Sequence, residues 1–317
     1  MNVTLGKTEF SDPEMADLRD RLKTLREAKA LTWKQVGLLV GAGDTTIQAW
    51  TTDKYAGDNQ SVAGKVYRYF IAESEREELA AEMPAVPSYV QTVTSRRMHT
   101  AMAVAQAGDM AAVATVPGLG KTATIKQFKA MQPERVWVAT IRPSNGGVPT
   151  MLNTLLRAMG KTKAAGIPAD LADLVMSEVA GRNGLIVIDD AQNASIKAFD
   201  ELRGIHDETG VGIVLSGHLE LITNLRRHAQ LYSRLGVKLV QRAALKDDIL
   251  AIAEAWKIEK GPELAFCLEL GRREGALRTL TKTCRSATFL ARREGVPLHL
   301  AHLKDAAAQG DVDIGVV

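Results

Sequence analysis

Residues 115–128 read TVPGLGKTATIKQF. Two glycines, a lysine and a threonine stand at the entry to a helix-like run, with an apolar stretch before them. That arrangement holds a polyphosphate. Backbone N–H groups of a glycine-rich turn and a helix start point at phosphate oxygens, the lysine reaches the terminal phosphates, and the next hydroxyl ligates Mg2+. The residues in these roles are Pro117, Gly118, Leu119, Gly120, Lys121 and Thr122. The pattern G-x-x-x-x-G-K-[ST] has one mismatch. Its first glycine falls on Thr115, so the turn is left to Pro117 and Gly118.

About 70 residues further on, LIVIDDAQN is an apolar run that ends in two carboxylates. Asp189 is placed to hold Mg2+ through water, and Asp190 to polarise an attacking water. The second acid is Asp, one methylene shorter than the commoner Glu, which predicts slow hydrolysis. VGIVLSGH then brings Ser216 and His218, polar groups able to sense a γ-phosphate. LYSRL presents Arg234, an arginine expected to reach the nucleotide of a neighbouring subunit. EGALRTL places Arg278 at a helix start, where it can close over phosphates. Together these residues imply ATP as ligand, Mg2+ as cofactor and ATP hydrolysis as the reaction. Their order along the chain resembles that of the AAA+ ATPases.

Such residues need a sheet to position them. The apolar runs at 110–116, 136–141, 184–190 and 211–217 read as strands, with helical segments between them. Strands alternating with helices predict a parallel sheet in an α/β core over 94–244. From 245 to 317 the pattern is helical throughout, as a lid domain over the core. Residues 80–93 carry two prolines and read as a linker.

Ahead of the linker, residues 1–79 form an all-α domain. Met15, Leu18, Leu22 and Leu25, three and four apart, lie on one helix face. TWKQVGLLVGAGDTTIQAWTTDKY resembles a helix-turn-helix. Thr32 is the expected N-cap of its first helix and Asp44 of its second. Gly37 is small where two helices would cross, and Gly41 suits a left-handed turn. Ile47 and Trp50 face the core, leaving Thr45, Thr46 and Gln48 to meet a DNA groove. Residues 1–80 carry 11 basic and 13 acidic side chains, a net of −2, so this module has no strong electrostatic footprint for DNA.

The 317 residues carry a formal charge of +3, spread unevenly. Six basic residues and no acid fall within 223–246, and seven basic residues and one acid within 271–293. Such patches suit a polyanion. No apolar run approaches membrane-spanning length, and the N-terminus lacks a signal-peptide core. Cys267 and Cys284 match no metal-ligand spacing and read as buried thiols in a reducing compartment, with the cytoplasm expected.

Taken in order, TWKQVGL, TTDKYAGDN, PGLGKT, LIVIDDAQN, GIVLSGH, LYSRL and EGALRTL resemble the Mu B family of phage transposition proteins over nearly the whole chain. Thr115, Asp190 and His218 depart from that family's Gly, Glu and Asn. The resemblance implies an ATP-dependent homo-oligomeric filament on duplex DNA, capture of target DNA with little sequence preference, and stimulation of a partner transposase. Within it, Arg142 in IRPSNGG and Arg226, Arg227 and Lys238 of the basic cluster are the candidates for DNA phosphate contact. Two other classes fit the same motifs. One is a transcription regulator with an ATPase switch, and the other a replication-type loader ATPase.

Overall fold

The computed structural model describes residues 7–162 and 165–310, in two compact units that divide between Pro84 and Ala85. The first holds helices α1 (Asp12–Ala28), α2 (Trp33–Val40), α3 (Asp44–Thr51) and α4 (Asn59–Glu82). Their shared core gathers Leu18, Leu22, Val36, Ile47, Trp50 and Val66, all at most 3% exposed. Helix α4 runs to Glu82, so the segment expected to begin a linker at residue 80 is still helical there.

The turn between α2 and α3 follows the local chemistry. Thr32 caps α2 in a reciprocal box with Gln35. Gly41 ends α2 in the left-handed region at φ 71°. Asp44, expected to cap α3, is instead its first residue. Gly43 occupies the cap, and the Asp44 carboxylate accepts the Thr45 N–H at 2.8 Å. A Cβ on Gly37 would lie 2.6 Å from the Ala42 carbonyl oxygen and 3.3 Å from the Asp44 nitrogen. Both obstacles are backbone. Gly37→Ala is therefore expected to destabilise this unit by about 1–3 kcal/mol, the usual cost of overpacking, read as a lowered thermal midpoint. An unchanged midpoint would mean that the turn yields freely.

The second unit opens with α5 (Val93–Gln106) and continues as β1 (Met110–Thr115), α6 (Lys121–Met131), β2 (Val136–Thr140), α7 (Val148–Ala158), α8 (Pro168–Val179), β3 (Leu185–Asp189), α9 (Ile196–Thr209), β4 (Gly212–Gly217), α10 (Leu219–Arg226), α11 (Ala229–Ser233) and β5 (Leu235–Gln241). The five strands form one parallel sheet in the order β2-β3-β4-β1-β5. Alternate residues of each central strand feed opposite layers. Ala112, Ile186 and Leu215 face α7, α8 and α9, whereas Ala111, Val187 and Val214 face α5 and α6. Burial on both faces explains the unbroken apolar runs.

Strand β5 was not expected from the sequence. It is an edge strand whose interior residues alternate between exposed and part-buried, with Gly236 and Lys238 breaking its apolar character. The helices α12 (Lys246–Ala255), α13 (Gly261–Leu270), α14 (Ala276–Glu294) and α15 (Leu300–Gln309) then build the lid. Asp248 of α12 is fully buried and joins the lid to the core. It accepts the Thr94 N–H at 3.0 Å and, with its other oxygen, the Thr94 hydroxyl and the Leu245 N–H.

Candidate functional site

In a parallel sheet all strands end on the same side, so the loops after β1, β3 and β4 meet at one edge. There the chain encloses a cavity of about 530 Å3 lined by residues 117–124, Asp190, His218 and Arg278. Five expectations thus converge: glycine loop, lysine, second acid, polar strand end and lid arginine.

The loop needs no glycine at residue 115. Thr115 is the last residue of β1, fully buried and paired with Gln241, in ordinary extended backbone. The left-handed positions fall later, on Gly118 (φ 84°) and Gly120 (φ 86°). Gly118 is constrained twice. A Cβ there would lie 1.9 Å from the Gly275 carbonyl oxygen, just before α14. The Arg278 N–H donates to the Gly118 carbonyl at 3.2 Å. Leu119, between the two glycines, is 1% exposed and belongs to the apolar cluster of the lid with Ile249, Leu277 and Leu280. The loop is thus fastened to the lid by backbone and by side chain.

Lys121 opens α6. Its ammonium donates to the Thr115 hydroxyl at 3.0 Å and to the Thr115 carbonyl at 3.2 Å. Burial pushes its pKa below that of a free lysine, while Asp189 and Asp190 work the other way. A polyanionic ligand would add to the carboxylates' pull and favour the charged lysine.

The Thr122 hydroxyl donates to Asp189 Oδ2 at 3.2 Å, and Ser216 holds Oδ1 at 3.1 Å. Ser216 is 1% exposed and committed to that carboxylate, so the expectation that it senses a γ-phosphate is corrected. Burial first, and Asp190 second, raise the Asp189 pKa. A bound cation would relieve both. A hydroxyl and a carboxylate in contact form a hard, oxygen-only donor pair, which fits Mg2+, an ion that completes its shell with water and phosphate.

Asp190 follows in the left-handed region at φ 54°, costly for a residue with a Cβ and tolerated best by Asn and Asp. Outliers of this kind gather at functional sites. The Gln192 side chain, which drew no attention in the sequence, donates to Asp190 Oδ1 at 3.3 Å and accepts the His218 N–H at 3.1 Å. His218 itself caps α10.

Sequence reasoning also missed the far wall of the cavity. Tyr89 and Val90, inside the segment read as linker, line it together with Ile252 and Trp256 of the lid. The indole N–H of Trp256 is buried and has no hydrogen-bond partner among the described residues. The two prolines masked this role, because proline-rich segments read as spacers whether or not they pack.

Arg234 is not in the cavity. It precedes Leu235, which pairs with Met110 at the start of β1, while the loop follows the end of β1. A six-residue strand spans about 17 Å, so Arg234 lies at the opposite edge of the sheet. It makes a two-pronged ion pair with Asp207, at 2.8 and 3.2 Å. Arg142 stands exposed after β2, at the same sheet edge as the loop. Arg226 and Arg227 are exposed at the far end of α10. Lys238 lies 4.8 Å from the centre of the Tyr232 ring. In α3, Thr45 and Gln48 are exposed and Thr46 is half-buried. A second groove of about 640 Å3 runs between α10 and the segment after β5, with Arg226 and Arg242 on its rim. It has neither a glycine loop nor an acid pair.

Residues 106–225 match an AAA domain family, and residues 233–309 match the family described as Mu B transposition protein, C terminal. The chain is 30% identical to the ATP-dependent target DNA activator B of Escherichia phage Mu over 309 residues, 95% of this chain and 97% of that one. It is 28% identical over 282 residues to the Mu-like prophage FluMu DNA transposition protein B of Haemophilus influenzae, covering 86% and 97% of the two chains. Among solved structures, the ORC2 protein of Aeropyrum pernix in its ADP form superposes with a TM-score of 0.54 at 16% identity, over 71% of this chain and 70% of that one. Cdc6p of Pyrobaculum aerophilum superposes with a TM-score of 0.54 at 15% identity, over 73% and 71%. At such identities the likeness is one of fold, the AAA+ fold. With a glycine loop, Asp190 and a lid arginine around one cavity, and a relative 30% identical over 95% of the chain, the chain belongs to the Mu B transposition protein family and is an AAA+ ATPase.

Proposed function

We propose that this protein is an ATP-dependent activator of target DNA for transposition, which assembles on duplex DNA with ATP bound and disassembles as ATP is hydrolysed. The observation that carries the reading is the single cavity in which Lys121, Asp190, His218 and Arg278 converge. The loop N–H groups and Lys121 bind the phosphates. Tyr89, Val90, Ile252 and Trp256 enclose the base. Thr122 and Asp189 would hold Mg2+, which when bound would neutralise charge on the phosphates. Asp190 takes the water's proton, His218 contacts the γ-phosphate, and Arg278 closes from the lid.

Arg234 cannot reach the phosphates of its own chain, and its exposed edge suits a neighbour's. That supports a homo-oligomer in which each nucleotide is completed from two chains, extending as a helical filament. Arg142, Arg226, Arg227 and Lys238 supply phosphate contacts to duplex DNA, and Thr45, Thr46 and Gln48 a further contact from the N-terminal unit. The partner is a transposase, which meets the captured DNA in the host cytoplasm. Among the described residues no helix is long and apolar enough to cross a membrane.

Two measurements test this. Electron microscopy with duplex DNA is expected to show filaments with ATP and none without it. DNA affinity is expected to fall by orders of magnitude between about 50 and 200 mM salt, with little dependence on sequence, because counterion release drives it. One operator bound far more tightly than random duplex would point to a regulator instead.

A further inference from the structure

We infer that Gln192 is a positioning residue for hydrolysis, its side-chain amide aiming the Asp190 carboxylate and tying it to the strand end that carries His218. The inference rests on the proposed role of Asp190 and adds the group that compensates for its short side chain. Gln192 is half-buried in the single turn that follows β3. Its amide spans two loops, donating to Asp190 Oδ1 at 3.3 Å and accepting the His218 N–H at 3.1 Å.

The orientation of this amide is dictated by its neighbours. A backbone N–H offers only a donor and a carboxylate only acceptors, so the reversed amide would set like against like at both ends. The fit is tight on the β4 side as well. A Cβ on Gly217 would lie 2.3 Å from Gln192 Oε1, so a glycine there is what lets the amide reach the His218 N–H.

The bridge has a mechanical meaning. Asp190 sits in left-handed backbone, which turns its side chain away from the course a strand would give it. Without a partner, a carboxylate on such a turn samples several rotamers, only some of which face the cavity. The amide removes that freedom. It also links Asp190 to His218, so a displacement of the strand end beside the γ-phosphate is passed to the carboxylate that must hold the water. The other charged groups facing Asp190 are Asp189 beside it, Lys121 from the loop and Arg278 from the lid. None of these has Gln192 as its partner.

The test compares the full-length protein with Gln192→Met, Asp190→Asn and the double variant, with duplex DNA present. Gln192→Met keeps the length of the side chain and removes both hydrogen bonds. It is expected to lower kcat by about 10- to 100-fold, the cost of a misplaced catalytic group. KM for ATP and the thermal midpoint are expected to stay near those of the parent. The ATP-bound complex on DNA is expected to outlive the parent's by a similar factor. In the Asp190→Asn background the same substitution is expected to change kcat by less than about twofold, since no carboxylate remains to be aimed. Gln192→Glu keeps the acceptor for the His218 N–H and loses the donor to Asp190, and its kcat is expected to fall as far. It also serves where the Met variant does not fold. Equal losses in both Asp190 backgrounds, or full turnover in Gln192→Glu, overturn the inference alone. Full turnover in Asp190→Asn overturns the proposed role of Asp190 and the inference with it.

Discussion

Lys121→Ala is expected to abolish ATP-dependent DNA binding. The residue is the one cationic side chain of the glycine loop, and its ammonium already rests within the loop, on Thr115. Removing it leaves the terminal phosphates with backbone N–H groups and Arg278. A hydrogen bond to a charged group contributes about 1.5–3 kcal/mol, or about 10- to 100-fold in affinity at 1.4 kcal/mol per decade. Nucleotide affinity, measured with a fluorescent ATP analogue, is expected to fall by that factor. DNA retention in the presence of ATP is expected to fall to the level seen without nucleotide. The lysine is half-buried and makes no ion pair among the described residues, so the fold is expected to survive and the thermal midpoint of the free protein to stay within a few degrees. Unchanged ATP affinity would show that the loop is not the phosphate site.

Arg234→Ala is expected to have the largest effect on turnover. An arginine supplied across a subunit boundary contributes about 10³–10⁵ in rate, and Arg234 lies at the sheet edge opposite its own loop. Within the chain it is held by Asp207, which also pairs with Arg203 at 3.1 Å. The pair is exposed, so its loss is expected to leave folding nearly unchanged. ATP binding by the variant is expected to be normal, with hydrolysis and filament growth impaired. Mixing it with Lys121→Ala provides a direct check, because one chain keeps the pocket and the other the arginine. Partial recovery of turnover at intermediate ratios is expected, and no recovery from variants that co-assemble would assign Arg234 to its ion pair alone.

The central strands were legible in the sequence because burial on both faces leaves an uninterrupted apolar signature. The loop was legible because phosphate binding by backbone requires glycines and a lysine at fixed offsets. Strand β5 was not legible. An edge strand with one exposed row has no such signature, and its Lys238 reads as part of the basic cluster. The placement of Tyr89 and Val90 against the lid arises from long-range packing, which the local Pro-rich composition conceals. Gln192 was invisible for a different reason. An amide acquires a role only from the groups at its two ends, and those come from separate strands. Ser216 was legible as a polar strand end, yet its partner proved to be Asp189. A hydroxyl on a fully buried strand is taken up by the nearest buried acceptor.

The burial of Leu119 within the lid decides where this chain can be divided. A fragment ending before Lys246 would leave that leucine without its apolar cover, the Gly118 carbonyl without the Arg278 N–H, and Thr94 without Asp248. The boundary between the two family matches, at residues 225 and 233, is therefore no place to cut. The same contact bears on chimaeras. A lid grafted from a relative brings its own socket for the side chain between the two glycines, so position 119 has to travel with the lid, although 126 residues separate it from the first lid helix.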